Sequence, residues 1–366
     1  MKHSLKDILY AIISWVIALN LLMLFHYFGH NEIDVEWKIE LIGATISAVV
    51  LGVIFSIIDI YINKTKIRQK SFVFIVLLKS LVFLLAILSA IIATVFCVDL
   101  IRGDTSIDSG INLLLDAISS KETILYIFYT ILISILFYYH QQVTKKIGPR
   151  ILINLLLGRY HKPKEENRIF MFLDLTSATT TAEKLGAFKY SLFLKDFFFD
   201  IDDSINETKG TASQFVGDEV VIVWNEREGI ENNNCIRLFF LAEDKIRKSK
   251  NRYVEKYGLS PEFKAGVHSG KVIITEVGGT KQEIAYHGDT VNTTARIRSE
   301  CSVLNEKLLI SAELLSLLSD IDIDFLVKSK GEFSLKGKEN VVRLFSIEQK
   351  KLSDDLDLSQ NGMLSG

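Results

Sequence analysis

The sequence predicts a protein of two parts, an α-helical transmembrane bundle followed by an α+β domain of the ferredoxin-like, or split βαβ, type. Of the 366 residues, 49% are hydrophobic, which is too apolar for an ordinary soluble protein and indicates membrane spans. The long apolar stretches are confined to the first 140 residues. The rest of the chain instead alternates strands and helices in the order β-α-β-β-α-β.

Four apolar stretches each approach the roughly 20 residues that a helix needs to cross a hydrocarbon core. They cover residues 8–28, 41–61, 80–98 and 123–139. A buried helix of a soluble protein is the alternative for any one of them, but four such helices would have too few partners to cover them. We therefore expect a transmembrane domain over residues 1–143 that is in contact with membrane lipid.

The charges beside these stretches predict their orientation, because short cytoplasmic loops keep an excess of Lys and Arg. Basic residues follow the second and the fourth stretch: Lys64, Lys66, Arg68, Lys70, Lys145, Lys146 and Arg150. Both termini are then cytoplasmic, in a multi-pass protein of the cell's plasma (inner) membrane. The first stretch is too long for a signal peptide and lacks a small-residue cleavage site, so we expect a retained anchor.

Ionisable residues near the predicted spans are His26, Asp59 and Lys79. Such residues can mark a ligand or ion pathway, but all three lie near predicted span ends, where a long side chain reaches water. We expect a structural role for them. The formal net charge of −2 gives no reason to expect a nucleic-acid partner, and the stimulus for the membrane part is not predicted.

Residues 144–167 predict a coupling helix and a linker. The segment 151–158 has the apolar density of a short helix that packs on a partner or lies along the membrane, whereas the charged segment 159–168 contains Pro163. At the other end, residues 349–366 form a polar tail.

The pattern within residues 168–348 predicts a βαββαβ domain. Strands are expected at 169–174, 212–216, 219–224, 263–268 and 271–275, and helices at 181–207 and 229–257. The two middle strands are joined at Gly217-Asp218, a sequence typical of a tight hairpin turn.

Asp174 and Asp218 are the candidate metal ligands of this domain. Asp174 ends the first predicted strand and Asp218 lies in the hairpin turn, so the two carboxylates can meet in space. Such a pair can hold two Mg²⁺ or Mn²⁺ ions that activate a ribose hydroxyl and neutralise a triphosphate. The alternative is that Asp218 is only a turn residue.

Five motifs occur in the order and spacing of the class III adenylate and guanylate cyclases, which residues 168–348 therefore resemble. They are Phe172-Leu-Asp174-Leu-Thr-Ser-Ala-Thr-Thr, Phe215-Val-Gly-Asp218-Glu, Ala265-Gly-Val-His-Ser-Gly270, His287-Gly-Asp-Thr-Val-Asn292-Thr-Thr-Ala-Arg296 and Leu335-Lys336-Gly-Lys. The resemblance implies a class III cyclase catalytic domain that converts ATP to 3′,5′-cyclic AMP and pyrophosphate by two-metal-ion catalysis, for intracellular signalling.

The resemblance also implies roles for individual residues. Two Mg²⁺ or Mn²⁺ ions would be held by Asp174, Asp218 and the backbone of Leu175, and the triphosphate by Thr176, Ser177, Ala178, Thr179 and Lys336. Asn292 and Arg296 would orient the ribose and stabilise the transferring phosphate; their i, i+4 spacing places them on one helix face. In this family the metal ligands and the Asn/Arg pair of one site come from two cyclase domains, which implies a homodimer.

Base recognition departs from the family pattern. The adenine-selecting lysine and its Asp or Thr partner fall on Gln214 and Ala285. An amide at Gln214 can hydrogen-bond adenine but does not exclude guanine. ATP is the expected substrate, with GTP and cyclic GMP as the alternative. A catalytically inactive membrane receptor with a nucleotide-binding cyclase-like domain is the other alternative.

Overall fold

The structure is a computed structural model that divides into two compact units, Met1–Leu152 and Ile153–Gly366. It describes residues 2–27, 36–64, 70–102, 115, 119, 121–147, 153, 157–280, 282–334 and 341–350. Most of the predicted coupling helix, Lys336 and nearly all of the predicted tail lie outside these residues.

The N-terminal unit contains four long helices in its described part. They are α1 (Lys2–Tyr27), α2 (Glu36–Lys64), α3 (Phe72–Arg102) and α4 (Lys121–Ile147). No proline interrupts any of them. In apolar surroundings a helix is favoured because it satisfies the backbone N–H and C=O groups within the segment itself. Helices α1 and α2 pack closely at Gly52, where an added β-carbon would lie 2.7 Å from the Cα atom of Ile12. Small residues at helix contacts of this kind are typical of membrane bundles.

Aromatic side chains fill the interior of this unit. The ring centroid of Trp15 lies 5.0 Å from that of Phe83, and the rings of Phe55 and Tyr138 stack at 4.3 Å. The outward faces are aliphatic and aromatic as well. Exposed side chains recur at helical spacing: Leu9, Ile13, Ile17 and Leu24 on α1, Ile46, Val53 and Ile57 on α2, Leu77, Leu81 and Leu85 on α3, and Phe128, Leu132 and Leu136 on α4.

One described helix is long and apolar enough, by length and composition, to cross a membrane. This segment, Ala44–Ile62 of α2, overlaps the second predicted span. Three shorter apolar segments, Ile8–Leu24, Phe72–Leu85 and Ile127–Gln141, overlap the other predicted spans, the third only in part. A bundle of four spans therefore stays a prediction.

Asp59 and Lys79 form an ion pair between α2 and α3. Lys79 is fully buried, and its Nζ atom lies 5.1 Å from the ring centroid of Tyr138. This ion pair fits the expected structural role of the two residues, although Lys79 pairs within the unit and does not extend to water. His26 belongs to α1, and its side chain lies outside the described part of the chain.

The C-terminal unit is an α+β domain built on one sheet. Its elements are β1 (Lys164–Leu175), α5 (Ala178–Glu207), β2 (Thr211–Val216), β3 (Glu219–Asn225), α6 (Glu226–Ile230), a 3₁₀ turn (Glu231–Asn233), α7 (Asn234–Lys248), α8 (Lys250–Tyr257), β4 (Phe263–Val277), β5 (Glu283–His287), α9 (Asp289–Val303), β6 (Leu308–Ser311), α10 (Ala312–Leu315), α11 (Ile321–Asp324), β7 (Phe325–Phe333) and β8 (Val342–Gln349).

The strand order is β2-β3-β1-β4-β6-β8-β7, with β5 paired to β4. Strand β1 is antiparallel to both β3 and β4. The first four strands and their helices therefore form the predicted split βαβ unit. Strands β6 to β8 extend this sheet beyond what the sequence predicted.

Strand β1 is buried on both faces, which explains its continuous apolar run. On one face, Ile169, Met171 and Leu173 pack with Phe193 and Phe197 of α5 in the main core. On the other face, β1 contributes to a second apolar cluster with residues of β3, β4, β5 and α9. The sheet thus fixes the C-terminal end of β1 from both sides.

Three predicted boundaries differ from the structure. The helix predicted at 229–257 is divided among α6, the 3₁₀ turn, α7 and α8. Asn232 and Asn233 adopt positive φ angles of 52° and 53° before α7, and Ser249 leaves the helical conformation between α7 and α8. The strands predicted at 263–268 and 271–275 are one strand, β4. Helix α5 begins earlier than predicted and contains a kink at Gly186, whose φ angle is 71°.

Candidate active site

The β2–β3 hairpin brings Asp218 beside the end of β1. Gly217 adopts a φ angle of 63°, which favours glycine, and so permits the tight turn between Val216 and Glu219. In the neighbouring pair of strands, Asp174 lies opposite Glu219. Asp218, which precedes Glu219, thus lies within side-chain hydrogen-bonding reach of Asp174.

Burial and proximity alter the electrostatics of the two aspartates. Asp174 is buried, with 8% of its surface exposed. Burial, followed by the side-chain hydrogen bond with Asp218, raises the pKa of Asp174 from the ordinary 3.8 to about 6, although the charges of Arg298 and Lys264 oppose this shift. Burial, followed by the charges of Asp218 and Asp174, also raises the pKa of the Tyr190 hydroxyl. Two carboxylates in such a position favour a cation between them.

Two cations that the sequence reasoning missed lie against this pair. The Arg298 Nη1 atom donates to Asp174 Oδ2 at 3.1 Å, and its Nη2 atom is 2.7 Å from Glu219 Oε2. The Nζ atom of Lys264 is 3.8 Å from the same Asp174 oxygen. Lys264 faces Asp174 across β1 and β4, a register that the sequence pattern does not specify.

Helix α9 reaches the site because two glycines of β4 let it approach the sheet. A β-carbon at Gly266 would lie 2.3 Å from the backbone nitrogen of Arg298, and one at Gly270 would lie 2.6 Å from the hydroxyl of Thr290. Real β-carbons are essentially never this close to another heavy atom. The spacing Gly266-x-x-x-Gly270 places both glycines on one face of the strand. Close contact with α9 on that face explains why the motif Ala265–Gly270 has glycine at both positions.

Asn292 and Arg296 lie on α9. Asn292 is exposed and Arg296 is half-buried. The Arg296 Nη1 atom is buried and has no hydrogen-bond partner among the described residues. Within the described part of the chain, the hydrogen bonds and ion pairs of Asp174 do not include either residue.

The predicted triphosphate segment lies at the start of α5. Its first helical residues, Ala178 and Thr179, have backbone N–H groups without intrahelical acceptors, which can bind an anion. The N–H group of Thr176 instead donates to the Glu262 carbonyl at 2.8 Å, so Thr176 does not offer this group. Ser177 has a φ angle of 57° and provides no side-chain cap. Lys336 lies outside the described residues.

The two predicted base-recognition residues lie on different strands. Gln214 is exposed on β2, directly after an irregularity in the β2–β3 register between Ala212 and Gln214. Ala285 is half-buried on β5 opposite Thr275. Its neighbours on both sides, Ile284 and Tyr286, belong to the apolar cluster on the β5 face of the sheet.

Comparison with known proteins identifies the domain that contains this site. The family model of the adenylate and guanylate cyclase catalytic domain matches residues 160–349. Adenylate cyclase 2 of Rhizobium meliloti is 34% identical over 214 residues, which cover 58% of this chain and 59% of that protein. The receptor-type guanylate cyclase gcy-13 of Caenorhabditis elegans is 26% identical over 53% of this chain and 19% of its own length.

A solved bacterial light-regulated adenylyl cyclase has the same fold. It superposes with a TM-score of 0.50 at 19% identity and covers 63% of this chain and 67% of that one. The chain spans about three fifths of the Rhizobium relative and about a fifth of the nematode relative. Since the matched residues 160–349 make up more than half of the 366 residues, the chain belongs to the adenylate and guanylate cyclase catalytic-domain family.

Proposed function

We propose that this chain is an adenylate cyclase that converts ATP to 3′,5′-cyclic AMP and pyrophosphate for intracellular signalling. The observation that carries the proposal is the contact between Asp174 and Asp218, at the end of β1 and in the β2–β3 turn of a cyclase-family domain. The choice of ATP is supported by a relative named an adenylate cyclase that is 34% identical.

The aspartate pair fits a divalent metal site. Burial and the neighbouring carboxylate raise the pKa of Asp174, so a bound cation would relieve an unfavourable arrangement. Among the described residues no group of three or more His, Cys, Asp or Glu forms a metal cluster. Two carboxylates suffice for Mg²⁺ or Mn²⁺ when backbone, water and substrate phosphate oxygens complete the coordination.

Asp174, Asp218 and the backbone of Leu175 would hold two such ions, which supply activation of the ribose 3′-hydroxyl and neutralisation of the triphosphate. The first N–H groups of α5 and Lys336 would bind the phosphates. Asn292 would orient the ribose, and Arg296 would stabilise negative charge on the α-phosphate during in-line attack by the 3′-oxygen. Pyrophosphate leaves, and no covalent enzyme intermediate forms.

Each active site would be completed by a second copy of the chain. Within the described part of one chain, Asp174 makes no hydrogen bond or ion pair with Asn292 or Arg296, which supports this arrangement. In a head-to-tail homodimer with two-fold symmetry, Asp174 of each protomer would lie opposite Arg296 of the other protomer. The dimer then contains two equivalent sites.

The N-terminal unit would anchor the enzyme in the plasma (inner) membrane. Four apolar helices with exposed aliphatic faces and a close glycine contact at Gly52 support four spans in contact with lipid. The basic segments near Lys66 and Lys145 then lie inside, together with both termini. Resistance to alkaline extraction from membranes and protease protection of tags at each terminus would test the anchor and its orientation.

Product analysis tests the enzymatic proposal. The full chain, purified in detergent, is incubated with ATP or GTP and with Mn²⁺ or Mg²⁺, and Asp174→Ala serves as the inactive control. Formation of cyclic AMP is expected. Cyclic GMP alone would support the guanylate alternative that Gln214 leaves open. If dimeric, folded protein forms neither cyclic AMP nor cyclic GMP, the cyclase proposal is overturned and a nucleotide-binding receptor is favoured.

A further inference from the structure

Arg298 lies against Asp174, which we propose as a metal ligand. Its guanidinium bridges Asp174 and Glu219, the former through Nη1 at 3.1 Å and the latter through Nη2 at 2.7 Å. All three side chains are largely buried, with 26%, 12% and 13% of their surfaces exposed for Arg298, Asp174 and Glu219. Ion pairs this shielded from water are stronger than surface pairs.

The backbone holds this arginine in place. Because Gly266 allows the α9 backbone to touch β4 at Arg298, the side chain begins next to the sheet and extends across the end of β1. The partner Asp174 ends β1, and Glu219 begins β3 directly opposite it. The guanidinium is therefore fixed by two strands and by its own helix, and it does not depend on a flexible loop.

The charges around Asp174 are nearly balanced without any metal. The Asp174 carboxylate lies beside that of Asp218 and shares the Arg298 guanidinium with that of Glu219, and Lys264 is a second nearby cation. A divalent cation bound to either oxygen of Asp174 would lie close to the Arg298 guanidinium, which donates to Oδ2 of the same carboxylate. The carboxylate cannot keep the full strength of both interactions, because two positive charges beside it repel each other.

We propose that Arg298 is a built-in counter-ion that occupies Asp174 in the metal-free enzyme and competes with the divalent cation for it, thereby lowering and setting the metal affinity of the site. The inference rests on the proposed role of Asp174 as a metal ligand. Arg298 is a positioning residue here, since it acts through Asp174. One consequence is that bound nucleotide strengthens cation binding, because its negative charge compensates for the displaced arginine.

Metal binding without nucleotide tests the proposal directly. Binding of Mn²⁺ to the full-length chain in detergent is measured by the electron paramagnetic resonance of free Mn²⁺ at pH 8, where protons compete little with the metal. Arg298→Gln is expected to bind Mn²⁺ about tenfold more tightly than the native chain, since one positive charge beside the site is removed. The matched control Arg247→Gln, which removes an exposed arginine from its ion pair with Asp244, is expected to leave the affinity unchanged.

Asp174→Asn separates failure of the inference from failure of the proposed function. If Asp174→Asn binds Mn²⁺ as well as the native chain does, the assignment of the metal site is wrong. If Asp174→Asn loses binding while folded Arg298→Gln binds with native or weaker affinity, only the role of Arg298 is overturned. Should Arg298→Gln fail to fold, Arg298→Lys decides: a shorter cation that cannot bridge both carboxylates is expected to bind Mn²⁺ more tightly than native, and equal or weaker binding contradicts the proposal.

Discussion

Asp174 lowers the stability of the fold at neutral pH because its carboxylate is buried beside that of Asp218. Its pKa of about 6 is above the ordinary value of 3.8, so the folded chain holds the proton more tightly than the unfolded chain does. The stabilising contribution of protonated Asp174 is fully present below about pH 4 and is lost as the pH rises through about 6. A residue kept at such a cost is typical of a functional site.

Asp174→Asn is accordingly expected to stabilise the metal-free chain at pH 7.5 by on the order of 2 kcal/mol, because the neutral amide avoids burial of a charge. At pH 4 the difference should nearly vanish, since Asp174 itself is then protonated. Thermal unfolding of both chains in metal-free buffer at the two pH values measures this. The control Asp203→Asn changes an exposed carboxylate and should show no such pH dependence. An equal effect at both pH values would contradict the argument.

At the scale of single residues, the sequence identified Asp174 and Asp218 but not the cations beside Asp174. The two aspartates stand out because one ends an apolar run and the other occupies a Gly-Asp turn. Arg298 and Lys264 reach Asp174 only through the β1–β4 register and the packing of α9 on β4. Such contacts between distant parts of the chain leave no local pattern.

Helices α5 and α8 are joined by two similar polar contacts. Tyr253 donates to Asp200 at 2.7 Å and Tyr257 donates to Asp196 at 2.8 Å, one helical turn apart on each helix. Arg252 also pairs with the buried Asp200. Because these carboxylates accept bonds from charged and phenolic donors together, they stabilise the contact more than a single surface pair would.

Asp200→Ala should destabilise the chain by about 2–3 kcal/mol, because it leaves the buried Tyr253 hydroxyl without its acceptor. Asp203 lies on the same helix as Asp200, but its ion pair with Lys245 of α7 is exposed. Asp203→Ala should therefore cost no more than about 0.5 kcal/mol. Thermal unfolding monitored by circular dichroism compares the two variants. Similar losses from both would show that the buried contact has no special weight.

The approach of α9 to β4 depends on the absence of a side chain at Gly266. Gly266→Ala should displace α9, reduce cyclase activity at least tenfold and cost about 3 kcal/mol or more, because the new β-carbon would overlap the Arg298 backbone. Gly279→Ala is the matched control, since a β-carbon there meets no atom within 4 Å. Activity and thermal unfolding of both variants test the prediction. If Gly266→Ala has native activity and native stability, α9 can move away from β4 without loss of either, and the prediction is wrong.

At the scale of elements, the apolar pattern predicted the type of an element better than its boundaries. The continuous run at 169–174 predicted a buried strand correctly, because a central strand covered on both faces needs apolar residues at every position. The helix predicted at 229–257 was wrong in its continuity. Asn is one of the few residues that tolerate positive φ, and Asn232 and Asn233 use this property to redirect the chain, which helical periodicity alone does not reveal.

For the whole molecule, the sequence separated an apolar N-terminal half from a βαββαβ half, and the structure also divides into two units. Strands β5 to β8 were not predicted. Strand β6, for example, is only four residues long and joins the sheet through distant partners. The number of spans and the dimer remain predictions, because both depend on lipid or on a second chain.

The shared-site dimer predicts complementation between inactive variants. Asp174→Ala and Arg296→Ala should each be inactive alone, because every site then lacks either a metal ligand or the phosphate-stabilising arginine. When the two are coexpressed in equal amounts, half of the dimers are mixed and each mixed dimer has one intact site, so about a quarter of native activity should return. Cyclic nucleotide formation by the copurified chains measures this.

Coexpression of Asp174→Ala with Asp218→Ala is the control, because both changes remove ligands from the same half of the site. A mixed dimer of these two has no intact site and should remain inactive. If the Asp174→Ala and Arg296→Ala pair also stays inactive although mixed dimers are isolated, each chain must build its site alone. The partnerless Arg296 Nη1 atom would then need an acceptor from the same chain or from the nucleotide.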